Sequence, residues 1–131
     1  MLLDTSGLLS CFDARDERHA VAAQLFRSAP RRVIHNYVLA EFVALCHARR
    51  LNRPACLAFV ADLMDSPQVE VRWVDEPRHR AAFELLRAQT DKTYSLCDAV
   101  SFLLMREIGL SDALTTDRHF EQAGFVRLLK A

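Results

Sequence analysis

Only three glycines occur in 131 residues, at positions 7, 109 and 124. Neither a G-x-G-x-x-G fingerprint nor a P-loop can be written with them, so a nucleotide cofactor held on a glycine-rich phosphate cradle is not expected. Lysine is nearly missing too, with Lys92 and Lys130 against fifteen arginines. Basic and acidic residues balance at seventeen each, for a formal net charge of zero. A strongly cationic nucleic-acid binder is thereby excluded, and any polyanion must be held by a local patch or through metal ions. The four cysteines, Cys11, Cys46, Cys56 and Cys97, contain no C-x-x-C pair and no matching histidine spacing. They form neither a zinc framework nor a disulfide scaffold, and buried thiols in a reducing cytosol are the expectation. No run approaches the ~18 apolar residues of a membrane span, and Asp4 interrupts the N-terminus before a signal peptide could develop. The chain reads as a soluble cytoplasmic protein without membrane attachment.

What is present is ordinary globular material, 51% hydrophobic and 26% charged. Its length fits one domain over residues 1–131 at the usual ~100–200 residues per domain. Short β-like runs alternate with helical segments. Leu2-Leu3, residues 32–35, 69–74, 113–116 and 125–129 read as strands. Helices are expected over residues 7–12 with Thr5 or Ser6 as cap, from Asp16 to Pro30, and from an Asn36 cap to about residue 50. Three more follow: 54–65 after Asn52, 77–88 from Pro77, and 95–108 between a Ser95 cap and Gly109. Strands separated by helices predict an α/β fold, a three-layer α/β/α sandwich around a mostly parallel sheet of about five strands.

Ligands of such sheets bind at the carboxyl ends of the strands. Asp4 follows the first strand and Asp117 the fourth, although each also suits a turn or a cap. Asp98 lies on a helix apolar at nearly every angle, from Leu96 to Ile108, which marks the helix as buried. A buried carboxylate needs a cation, a donor network or a metal. Ser95-Leu96-Cys97-Asp98 also reads as a capping box, and the two readings stand side by side. Glu41 flanks the apolar stripe of its helix, either as a solvated boundary residue or reaching toward a shared site. If the four converge, acids ~4 Å apart repel by about 1 kcal/mol per pair even in water, so a cation is required. All-oxygen ligands select Mg²⁺ or Mn²⁺, and the chemistry of that cup is phosphodiester hydrolysis by metal-activated water.

Met1-Leu2-Leu3-Asp4-Thr5-Ser6, the helix bearing Glu41, residues 94–102 with Asp98, and residues 114–120 with Ala123-Gly124-Phe125 together resemble the PIN domain family, especially its VapC-type toxins. The resemblance covers essentially the whole chain in order. It implies a Mg²⁺- or Mn²⁺-dependent endoribonuclease, an RNA substrate, a cognate antitoxin and a homodimer. It also assigns Asp4, Glu41, Asp98 and Asp117 to the acidic quartet and Thr115 or Ser6 to the neighbouring hydroxyl; Cys97 departs from the small polar residue usual there. Alternatives are a housekeeping PIN ribonuclease without an antitoxin, and a non-catalytic cation-binding α/β module. Among the other polar residues, His119 lies two residues after Asp117 and reads either as a member of the site or as a solvated loop residue, and Asp91 either as a peripheral acid or as a loop residue. Arg49, Arg50 and Arg53 read as a patch for RNA phosphates, while a helix C-terminus would favour Arg49 and Arg50 regardless. Phe120 and Phe125 read as core, and His19, His35, His47 and His79 show no ligand spacing.

Overall fold

The central strand positions Leu2, Leu3, Val33, Ile34, Ala113 and Leu114 are apolar without alternation because both faces of the sheet are covered there. The computed structural model describes residues 1–130. In it β1 (Leu2–Leu3), β2 (Val33–His35), β3 (Glu70–Arg72), β4 (Asp112–Leu114) and β5 (Val126–Arg127) form one sheet in the order β3-β2-β1-β4-β5. Every neighbouring pair is parallel, so the sheet is parallel throughout rather than mostly so. Leu2 lies beside Val33 and Ala113, and Leu3 beside Leu114.

Successive strand residues face opposite ways. Leu3, Ile34 and Leu114 enter one core with residues of α1 (Thr5–Phe12), α2 (His19–Ser28), α3 (Asn36–Ala48) and α4 (Arg53–Asp65). Leu2, Val33 and Ala113 meet Phe102, Met105 and Phe120 from α6 (Leu96–Ile108) and α7 (His119–Gln122) in the other. Ala82 of α5 (Glu76–Ala88) packs on Ala99 and Val100 of α6. The result is the expected three-layer sandwich. Gly7 is required where α1 crosses β4, since a Cβ there would stand 2.0 Å from the Leu114 carbonyl oxygen.

Several helix ends follow local chemistry. The Asn52 side chain accepts from the Ala55 N–H at 2.9 Å, and the Ser95 hydroxyl from the Asp98 N–H at 3.0 Å. Gly109 ends α6 in the left-handed region at φ 75°. Others do not. Asp4 occupies the cap position of α1 without a side-chain cap bond, so neither Thr5 nor Ser6 caps it. The second helix starts at His19 rather than Asp16. His35, not Asn36, caps α3: its Nδ1 accepts from the Val38 N–H at 3.4 Å, while the Asn36 side chain accepts from the Val74 N–H at 2.7 Å. The third, fourth and fifth strands are shorter than expected, and Trp73 lies beyond β3 with 64% of its surface exposed. The four-residue α7 is too short to show a hydrophobic period in the sequence. Cys46, Cys56 and Cys97 are buried free thiols, and Cys11 is partly buried. No described helix is long and apolar enough to cross a membrane.

Candidate active site

From β1 the chain goes to β2 on one side, while β4 lies on the other, so the connections reverse direction between β1 and β4. A crevice opens at the strand carboxyl ends at such a switch point. Asp4 is the first residue past β1, and its N–H donates to the Leu114 carbonyl at 3.2 Å. Asp117 lies three residues past β4. Asp98 enters from the first turn of α6, and Glu41 from α3. All four line one cleft of about 460 Å³ together with Thr5, Ser6, Arg49 and His119.

The carboxylates differ in environment. Asp4 is 5% exposed and accepts from Thr115 Oγ1 at 2.7 Å. Thr115 Oγ1 also accepts from the Asp117 N–H at 3.0 Å and lies 3.1 Å from Ser6 Oγ. Ser6 Oγ in turn accepts from the Thr116 N–H at 3.0 Å. Both hydroxyls that the sequence offered therefore belong to one network joining the ends of β1 and β4. Burial pushes the Asp4 carboxyl up to about 7; the Thr115 bond opposes this, and the charges of Asp98 and Glu41 add to it. Asp98 is also raised, by burial first and then by the Asp117 charge, against a hydrogen bond from Ser95. Cys97, beside the same acids, has its thiol raised by burial and then by Glu41, Asp4 and Asp98.

Asp98 is buried and also belongs to the capping box. Its Oδ2 accepts from the Ser95 N–H at 3.0 Å, completing the capping box, and the same oxygen lies 3.2 Å from His119 Nδ1. His119 is where the loop reading fails. Its Nδ1 also lies 3.3 Å from Asp117 Oδ1, so the imidazole stands between two carboxylates, while Nε2 lies 2.9 Å from Thr93 Oγ1. A nitrogen facing two carboxylate oxygens carries its proton. The spacing from Asp117 is the one local signal for this; Asp98 lies 21 positions away in sequence. The ligand atoms of Asp98, Asp117 and His119 all fall within 4.8 Å of one another; Asp4 and Glu41 line the cleft outside that tight group.

Residues 1–126 match the PIN domain family. The chain belongs to the PIN domain family. Over 129 residues it is 35% identical to the 23S rRNA-specific endonuclease VapC20 of Mycobacterium tuberculosis, in each of two strains, covering 98% of this chain and 97% of the relative. The crystal structure of Mycobacterium tuberculosis VapC20, described as a sarcin-ricin loop cleaving toxin, superposes with a TM-score of 0.87 at 34% identity over 95% of each chain. PIN domain nucleases generally use a divalent metal. The donor set here suits a hard cation: four carboxylates from four separate elements, and a buried Thr5 hydroxyl in the same cleft that has no partner.

Proposed function

We propose that this PIN protein is a VapC-type toxin endoribonuclease whose Asp4, Glu41, Asp98 and Asp117 hold Mg²⁺ or Mn²⁺ at the cleft. The observation that carries the reading is the convergence of four carboxylates on one cleft, with Asp4 and Asp98 both raised by burial. Such a group is stabilised by a cation, and oxygen donors favour the hard divalent ions. When bound, the ion supplies Lewis-acid activation of water and neutralises charge at the scissile phosphate.

The chain's own residues prepare the site. Thr115, the first residue past β4, donates to the Asp4 carboxylate, so the two sides of the switch point are tied by that bond. The Ser95 backbone fixes Asp98, and the His119 N–H fixes Asp117 at 2.9 Å. Both bonds to Asp98 fall on Oδ2 and both bonds to Asp117 on Oδ1, so each acid has a second oxygen outside these bonds. Arg49 is an exposed cation at the cleft wall, suited to a phosphate.

A cognate antitoxin is the proposed inhibitor, and a homodimer the proposed assembly. The 23S ribosomal RNA named for VapC20 is the first substrate to try. The test is cleavage of ribosomal RNA by purified protein with Mn²⁺, with EDTA, and with Asp98→Asn. Cleavage that needs Mn²⁺ and Asp98 supports the reading; cleavage that survives both EDTA and Asp98→Asn removes the metal site from the reaction.

A further inference from the structure

The turn that joins α3 to α4 is a Schellman motif: the Leu51 N–H donates to the Cys46 carbonyl and the Arg50 N–H to the His47 carbonyl, each at 3.0 Å. The residue at its left-handed position is usually glycine. Here it is Arg50, at φ 57°, the only non-glycine residue with positive φ among the described residues. An arginine held there against its backbone preference points to a task for the side chain.

Its neighbours are also unusual. Eleven of the fifteen arginines place their guanidinium on a carboxylate, a side-chain amide or a backbone carbonyl. Among the described residues, the other four, Arg49, Arg50, Arg53 and Arg118, hold no such partner, and all four are exposed. They are not scattered. Arg49 lines the acidic cleft; Arg50, next in sequence, lines with Arg53 a separate hollow at the α3–α4 turn, and Arg118 follows Asp117 directly. A helix C-terminus accounts for Arg49 at the end of α3, but not for Arg53 at the start of α4, where the dipole disfavours a cation.

We propose that Arg49, Arg50 and Arg53, with Arg118 beside Asp117, form a phosphate track that holds the RNA strand flanking the scissile bond. The inference rests on the ribonuclease reading of the adjoining cleft. Four carboxylates repel a polyanion, so substrate must be held by cations at the rim. Free guanidinia suit this task, because they have no internal pair to break before meeting a phosphate.

The test compares wild type, Arg50→Gly, the double variant Arg49→Gln/Arg53→Gln, Arg118→Gln, and Arg80→Gln as a control on the remote α5. Anisotropy of a fluorescein-labelled single-stranded RNA across a salt series is read beside Mn²⁺-dependent cleavage of the same RNA. The double variant should raise KM on the order of tenfold with kcat unchanged. The salt slope of binding should flatten by about 0.7 for each arginine removed. Arg50→Gly should raise the melting midpoint by about 3 °C while weakening RNA binding, a divergence that a structural role would not produce. Arg80→Gln should change neither. Unchanged affinity and salt slope in all the track variants, with wild type still cleaving, would overturn the track and leave the nuclease reading standing. Wild type that binds RNA through these arginines but cleaves none with Mn²⁺ would do the reverse. Affinity lost for a poly-glutamate peptide but not for RNA would reassign the patch to an acidic protein segment.

Discussion

Asp4→Asn tests the site without any substrate. The buried carboxyl is raised from 3.8 to about 7, chiefly by desolvation. Its protonated form is therefore favoured by the fold, and the stability tied to that proton is present in full below the unfolded value. It is lost as pH rises toward the folded one. At about 1.4 kcal/mol for each pH unit, ionised Asp4 costs the metal-free protein on the order of 4 kcal/mol above pH 7. Asparagine keeps the shape and can still accept the Thr115 hydroxyl bond, but it has no charge to desolvate. The variant's advantage over wild type should thus grow by about 3 kcal/mol between pH 5 and pH 8, or roughly 10 °C in melting midpoint for a chain of this size. Mn²⁺ should narrow the gap at pH 8: at a hundred times Kd it adds ~2.7 kcal/mol to whichever protein binds it, and that should be wild type alone. The assay is thermal unfolding of both proteins at the two pH values, with EDTA and with Mn²⁺. If Asp4→Asn melts below wild type at pH 8 and keeps the Mn²⁺ response, the buried-charge argument is refuted.

Asp98→Asn and Asp117→Asn should each abolish RNA cleavage while far-ultraviolet circular dichroism stays native; near-wild-type cleavage by both would mean the cup is misassigned. An inhibitory antitoxin should place an Arg or Lys among the acids, because a cation there satisfies the same charges as a metal. Replacing every basic residue in its inhibitory segment without loss of inhibition would reject that. His35 is buried, its Nε2 lies 2.8 Å from Ser101 Oγ, and desolvation lowers it to about 4. The fold therefore favours neutral imidazole, so stability should fall by about 3 kcal/mol as pH drops from 6.5 toward 4. A His35→Gln variant should lose that part of the acid sensitivity, and an unchanged acid limb would count against it. Gly7→Ala should destabilise by about 3 kcal/mol or more, because α1 must lift off the Leu114 carbonyl, and a chemical denaturation midpoint within error of wild type would contradict the close approach.

The elements that the sequence determined alone are those with their own local chemistry. Asn52, Ser95 and Gly109 set helix ends through bonds or dihedrals within a few residues, and the apolar pairs at Leu2-Leu3 and Val33-Ile34 marked buried strands. The acids were legible because each stands at a strand end or on a core-edged helix. The ends that were misread have distant causes. Asn36 could not cap α3 because its side chain is taken by Val74, 38 positions on. Asp4 made no cap bond, and its carboxylate is held by Thr115 across the sheet. For His119 the sequence offered only its spacing from Asp117, because Asp98 and Thr93 reach it through tertiary packing. The unusual backbone of Arg50 was equally invisible, since nothing in an Arg-Arg-Leu run states which residue takes the left-handed position. Local sequence encodes bonds that close over one helical turn. Which carboxylates share a cleft, and what stands between them, depends on contacts made only when the sheet order brings β1 beside β4.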